Sequence, residues 1–336
     1  MLSSRKRKIL CLLVARYIDT AEPVASADIK RDYGEDISSA TIRAELATLE
    51  EMGYLIQPHV SAGRIPTAKA YKVYVENIPQ EDDYLPKVTD MRSFLDQKID
   101  QVGDVIKSTA QVLSDATNYT SVIVVKNVGN VVVRSVKLVD LGSDNALVII
   151  ITDSGVLKDC FIDLPKKMGE NYLQTAEDLL NRMFGNKTVQ EIKEQLTFVD
   201  DEIAEYKTIL FKIIDTLEKF AAGKDATVVV EGTAKLLDYP EYSSEVDKVK
   251  GVLSIIEHKE QLGEMVSDGK VDFSFRIGAE DGIENGSLVS ASYKISETQE
   301  VHAGVIGPER MDYKKVVQVL HDLEKMIKSI VGDKED

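Results

Sequence analysis

The chain has no tryptophan, two cysteines and four histidines among its 336 residues, and these scarcities remove several kinds of chemistry. Cys11 and Cys160 each lie in an apolar run, with no second Cys or His at metal-ligand spacing. That pattern predicts reduced, buried thiols in a cytoplasmic protein and neither a disulfide framework nor a zinc site. His59, His258, His302 and His321 are scattered, and His258 sits in the charged stretch Glu257-His258-Lys259-Glu260. There is no Gly-rich phosphate loop ending in Lys-Ser/Thr and no nucleophile elbow. Carboxylates are plentiful, but abundance does not make an acid–base pair. The sequence therefore predicts no enzyme, no metal and no cofactor. It also lacks any apolar run near the ~20 residues a bilayer span requires. The start, Arg5-Lys6-Arg7-Lys8 and then Ile9 to Ala15, has the order of an export signal. Its apolar part is only seven residues, and Arg16, Asp19 and Glu22 separate it from Ala25-Ser26-Ala27, so export is not expected.

What the chain has in excess is acid. Its net charge is -16, yet the excess is unevenly placed. Residues 1–78 carry eleven Lys and Arg against ten Asp and Glu, a balance of +1, which leaves the remaining residues at -17. A phosphate-binding surface needs local rather than global positive charge, so a DNA-binding segment is compatible with the total only at the N-terminal end.

The periodicities along that end predict three short helices. Residues 4–20 place Leu10, Leu13, Val14 and Tyr17 on one face before Pro23, and residues 25–33 form a second helix that stops at Gly34. Ser38 or Ser39 caps a third, which runs to Gly53 with Ile42, Leu46 and Leu49 inward. Two short β-type segments between Tyr54 and Pro66 flank a Pro/Ser/Gly tip, and Thr67 caps a helix through Ile78. A hairpin directly after the third of three helices is the winged helix-turn-helix arrangement.

That arrangement binds DNA by placing the third helix in the major groove while the first helix and the wing hold phosphates. With Ile42 at 0° and ~100° per residue, the face opposite the core holds Ala40, Ala44 and Ala47, flanked by Arg43 and Thr48. Small residues let the helix backbone approach base edges, and Arg43 can reach a guanine or a phosphate. Cations at Arg5, Lys6 and Arg7 oppose the helix dipole unless something anionic, such as phosphate, lies nearby. Arg64, beside Gly63, is placed for a phosphate or minor-groove contact.

Beyond the polar linker at 79–87 the sequence predicts a helix at about 88–115, then strands at 121–126, 131–139 and 146–152. A helical stretch runs from Pro165 to about 224, followed by strands at 226–231, 271–277, 288–295 and 301–306 and a last helix at 312–331. Strands, helices and strands again describe an α/β domain interrupted by an insertion. Within the insertion, Ile203, Tyr206, Leu210, Ile213, Leu217 and Phe220 follow 3-4 spacing, the seam of a helix packing on another helix, either between two copies or inside one chain.

Several segments carry a family resemblance: Ser38-Ser39-Ala40-Thr41-Ile42-Arg43, then Leu49 to Leu55, Gln57 to Thr67, Glu231-Gly232-Thr233 with Leu236-Leu237, and Gly304 to Tyr313. In these the chain resembles the HrcA family of heat-inducible transcription repressors. The resemblance implies an α+β multidomain fold: a winged helix at 1–78, a GAF-like domain at 88–165 and 225–336, and a mainly helical dimerising insertion at 166–224. It implies repression of heat-shock genes by a homodimer on the inverted-repeat CIRCE operator, with activity maintained by a GroEL-type chaperonin. Carried onto this chain, the motifs mark Ser39, Thr41, Arg43, Ser61, Gly63 and Arg64 as DNA-binding. Ala44 stands where the family commonly has Asn, which puts one base contact in doubt. The Gly304–Tyr313 motif is expected to be structural. A winged-helix regulator controlled by a small ligand in the GAF-like domain is the alternative, although no convergent polar set marks a pocket.

Overall fold

A computed structural model describes residues 2–34, 37–59, 62–78, 102–127, 131–142, 144–153, 157–164, 171–196, 206–221, 226–268, 273–296 and 299–332. The linker expected at 79–87 and the start of the helix expected at 88 lie outside these residues. The chain divides into two compact units. The first comprises residues 1–124, 228–292 and 302–336; the second comprises 125–227 and 293–301.

In the first unit, α1 (Ser4–Thr20), α2 (Ser26–Tyr33) and α3 (Ser39–Glu51) precede a two-stranded ribbon of β1 (Leu55–Ile56) and β2 (Ile65–Pro66), then α4 (Ala68–Val75). The apolar periods predicted from sequence are the ones that are buried: Ile9, Leu10, Leu13 and Val14 on α1, Ile29 on α2, and Ile42, Leu46 and Leu49 on α3. Ser38 caps α3, accepting a hydrogen bond from the Thr41 amide at 3.0 Å. The cap expected at Thr67 differs, because its hydroxyl donates to the Gly53 and Tyr54 carbonyls and ties α4 to the end of α3. α4 then stops at Val75 rather than Ile78.

The remainder of this unit is built on a five-stranded sheet in the order β8 (Thr227–Glu231), β3 (Thr120–Asn127), β11 (Gln299–Gly307), β10 (Ile283–Ser296), β9 (Phe273–Gly278). β11 is central, and its residues Val301 to Gly307 are buried without alternation, as a strand covered on both faces requires. α5 (Val102–Thr117), α9 (Pro240–Ser243), α10 (Val246–Glu257), α11 (Lys259–Ser267) and α12 (Tyr313–Gly332) belong to the same unit, and α12 buries Val316, Val319, Leu320 and Leu323. The Gly304–Tyr313 motif is the corner between sheet and helix. Asp312 caps α12 by accepting from the Lys315 amide at 3.1 Å, and Arg310 pairs with Glu241. α4 docks on this body within the same unit. Lys72 Nζ lies 3.0 Å from Asp281 and 3.4 Å from Glu280, and the Tyr71 and Tyr313 rings are 6.0 Å apart. Gly278 (φ 77°) is required there, because a Cβ would lie 2.8 Å from the Cβ of Ala68.

The second unit is bounded differently from the insertion expected at 166–224. Strands β4 (Val132–Gly142), β5 (Asn145–Thr152) and β6 (Leu157–Asp163), expected to belong to the α/β domain, form their own antiparallel sheet in the order β6-β5-β4-β7, with β7 at Lys187–Thr188. Their inward residues Val133, Val136, Ala146, Val148, Ile150 and Ile162 share one core with α6 (Tyr172–Phe184), α7 (Val189–Leu196) and α8 (Lys207–Ala221). This compact unit is α+β and begins near Val125, whereas the insertion expected from sequence is mainly helical and begins at 166. Strand and helix faces that are individually apolar bury each other here, a pairing that linear periodicity does not reveal.

The heptad seam falls in this same core. Leu210, Ile213 and Leu217 are buried at 2% exposure or less among the chain's own residues, with Tyr206 packed beside them. Leu210, Ile213 and Leu217 thus pack inside the chain, the intrachain reading of the seam, and not in the dimer interface expected for them. Ile203 and the Phe220 side chain lie outside the described residues. The large apolar side chains exposed on this unit include Phe161 on β6 and Phe211 on α8.

Candidate nucleic-acid interface

α3 presents two unlike faces. Ile42, Leu46 and Leu49 are fully buried against the other helices, whereas Ala40, Arg43 and Ala44 are exposed on the opposite side. Ala47 and Thr48 are half-buried at the margins of that exposed stripe. The stripe has no bulky side chain, so a groove wall could approach the helix backbone closely.

Arg43 is the distinctive group. Of the eleven Lys and Arg in residues 1–78, Arg7, Lys30 and Arg43 make no ion pair, ring contact or side-chain hydrogen bond among the described residues. The others are engaged. Arg5 and Lys6 pair with Glu45, Arg16 and Arg31 with Asp28 and Asp32, Arg64 with Glu50, and Lys72 with Glu280 and Asp281. Lys8 lies over the Tyr33 ring, and Lys69 lies over the Tyr54 ring while donating to the Met52 carbonyl. Arg43 is the cation on the exposed face of α3 whose donors remain unused among the described residues.

The remaining residues marked from sequence divide into those free to contact a ligand and those already engaged. Ser39 starts α3 and is half-buried. The Thr41 hydroxyl shares a 2.9 Å hydrogen bond with Ser38, so it serves the helix cap. The Thr48 hydroxyl donates to the Ala44 carbonyl at 3.0 Å and keeps its lone pairs for an acceptor role. Arg7 is exposed, whereas Lys6 is held 2.9 Å from Glu45.

The wing is shaped by its anchoring. Val24 and Arg64 exchange two backbone hydrogen bonds of 2.9 Å each, fastening the ribbon to the segment between α1 and α2. Gly63 makes that approach possible, because a Cβ would stand 2.5 Å from the Val24 carbonyl carbon and oxygen. Gly63 is therefore a packing requirement rather than a contact in itself. Arg64 Nε donates to Glu50 Oε2 at 3.0 Å, tying the wing to the last turn of α3. Ser61 lies outside the described residues.

Sequence inspection singled out cations and did not single out Glu45 or Glu50. The signal was available: on the same helical wheel they fall at ~300° and ~80°, on the two flanks between the core and the exposed face. Elsewhere, no group of three or more metal-ligating side chains occurs among the described residues. Cys11 and Cys160 are half-buried free thiols, each pushed up from its ordinary pKa by burial. No described helix is long and apolar enough to cross a membrane.

Comparison with known proteins accords with this architecture. Residues 103–317 match the family profile described as the HrcA protein C terminal domain. The chain is 34% identical over 340 residues to a heat-inducible transcription repressor HrcA from Carboxydothermus hydrogenoformans, covering 99% of each chain. It is 35% identical to the protein of the same name from Symbiobacterium thermophilum, covering 96% of each. Among solved structures, a hypothetical protein with 23% identity superposes with a TM-score of 0.58 over 98% of this chain and 99% of that one, a likeness of fold.

Proposed function

The chain belongs to the HrcA family of heat-inducible transcription repressors, and from that premise we propose that it represses heat-shock genes by binding the inverted-repeat CIRCE operator as a homodimer. Each copy inserts α3 into one major-groove half-site, and the two-fold symmetry of the dimer matches that of the repeat. The observation that carries this reading is the free guanidinium of Arg43 on an exposed stripe of alanines. Its two parallel donors fit guanine O6 and N7. Arg7 and Lys30 are the other free cations of the module and supply phosphate contacts, which position the protein without reading sequence.

Self-association follows from the charge distribution. The residues beyond 78 carry -17 and repel DNA, so one copy of a module at +1 binds weakly. Two linked half-site contacts multiply through effective concentration. The second unit supplies the joining surface through apolar side chains outside its own core, of which Phe161 and Phe211 are 65% and 61% exposed. A GroEL-type chaperonin maintaining the active state, and a cytoplasmic location, complete the proposal by family resemblance.

The test is a titration of the full-length protein against a CIRCE duplex and a scrambled duplex at stated salt. Sequence-dependent binding that Arg43→Ala weakens by ~1–3 kcal/mol on the operator alone supports the proposal. Equal binding to the two duplexes refutes it.

A further inference from the structure

Glu45 is an acid on the helix proposed to enter the groove, where a negative charge opposes the phosphate backbone. Its surroundings show what it does. Its carboxylate lies 2.9 Å from Lys6 Nζ and 3.8 Å from Arg5 Nη1, so one acid holds two cations of α1. The Glu45 side chain is 13% exposed, whereas that of Arg5 is 58% exposed and remains open to a ligand. Glu50, on the other flank of α3, holds Arg64 of the wing. The exposed stripe with Arg43 is thus bordered on both sides by cations that carry their own counter-charge.

The Glu45 cluster, with side chains 13% exposed at Glu45 and 25% at Lys6, also ties α1 to α3, so its structural part must be separated from its effect on DNA by a thermal melt. Its effect on a polyanion is electrostatic. Unpaired cations bind any duplex through counterion release, a term blind to sequence. A carboxylate that already neutralises them lowers that term and leaves base-edge contacts by Arg43 untouched. We propose that Glu45 is a specificity-determining residue of the DNA interface, which holds Arg5 and Lys6 in check so that random duplex binds poorly while the operator still binds. The proposal rests on the DNA-binding function stated above.

The experiment compares wild type, Glu45→Gln and Glu45→Asp as full-length proteins, each titrated with the CIRCE duplex and a scrambled duplex over a range of salt. Glu45→Gln is expected to raise affinity for the scrambled duplex ~10-fold, and to steepen its salt dependence by about one to two in log–log slope as one or two cations become available to phosphate. Operator affinity rises less, so the ratio between the duplexes falls severalfold. Glu45→Asp, which keeps the charge, retains the wild-type ratio. In an Arg5→Gln/Lys6→Gln background, Glu45→Gln loses its effect, because its action passes through those two side chains.

An unchanged scrambled-duplex affinity and slope in Glu45→Gln overturn the proposal. So does an equal loss on both duplexes, which marks a structural role that a thermal melt would also register. If wild type itself fails to distinguish the duplexes, the DNA-binding proposal falls first; if it distinguishes them and Glu45→Gln matches it in ratio and slope, only the role of Glu45 falls.

Discussion

At the scale of single residues, the interface depends on which polar groups are already engaged. Arg43 and Arg64 look equivalent in the sequence, yet one is free and the other is held by Glu50 and by the Val24 backbone. Their substitutions should therefore differ in kind. Arg43→Ala should remove the proposed base contact and leave the melting temperature unchanged, whereas Arg64→Ala should loosen the wing and lower discrimination and stability together. Gly63→Ala is the sharper case, since its methyl would meet backbone atoms 2.5 Å away that no rotamer change can relieve. Overpacking of this kind costs about 1–3 kcal/mol. Denaturant unfolding should register that loss, and an unchanged midpoint would show that the wing is not fastened to Val24.

At the scale of elements, side chains that imitate backbone hold the pieces together. Asn181 of α6 accepts from the Val136 amide and donates to the Val136 carbonyl, each at 2.8 Å, completing the β4 backbone from outside the sheet. Asn181→Ala leaves a donor and an acceptor unmatched, at about 1–3 kcal/mol each where water cannot replace them. Glu177, one turn earlier, accepts from the Leu138 amide at 3.0 Å and pairs with Lys137. Burial pushes its carboxyl up, but Lys137 and the Leu138 amide outweigh that and hold it below the ordinary 4.5. A carboxyl held low in the folded state adds stability above its ordinary pKa and loses it as pH falls through the lowered value. The stability gap between wild type and Glu177→Gln should be constant near neutrality and close in acid, as urea midpoints over a pH series would show. At the other end of the chain, Ser38→Ala removes the cap of α3 and should cost about 0.5–2 kcal/mol. It should weaken operator binding through helix fraying rather than through a lost contact.

At the scale of the whole molecule, burial of the heptad seam separates folding from assembly. Leu210 and Leu217 are core residues, so a charge at either should unfold the second unit rather than release intact monomers. A charge at Phe211, exposed on the same helix, should leave the fold intact and weaken self-association and operator binding in parallel. Sedimentation beside circular dichroism distinguishes the two outcomes. Loss of helical signal in Phe211→Asp, or an intact monomer from Leu210→Lys, would contradict this division.

The buried faces of the first three helices, the hairpin after them and the candidate Arg43 are legible in the sequence alone. Each of these follows from local spacing, since a 3.6-residue period and a turn signal are properties of neighbouring residues, whereas the α+β multidomain class comes with the family resemblance. The partner of each surface is set by the three-dimensional fold. The 3-4 seam of α8 had the same appearance for a second copy as for the chain's own β-sheet, because periodicity shows that a face is apolar and not what covers it. Strands β4 to β6 looked like part of the larger sheet for the same reason, as alternation does not specify which strands pair. Arg5, Lys6 and Arg64 are neutralised by Glu45 and Glu50, which lie 39 to 40 and 14 residues away in the chain. Coulomb attraction depends on distance in space, and the fold alone sets that distance.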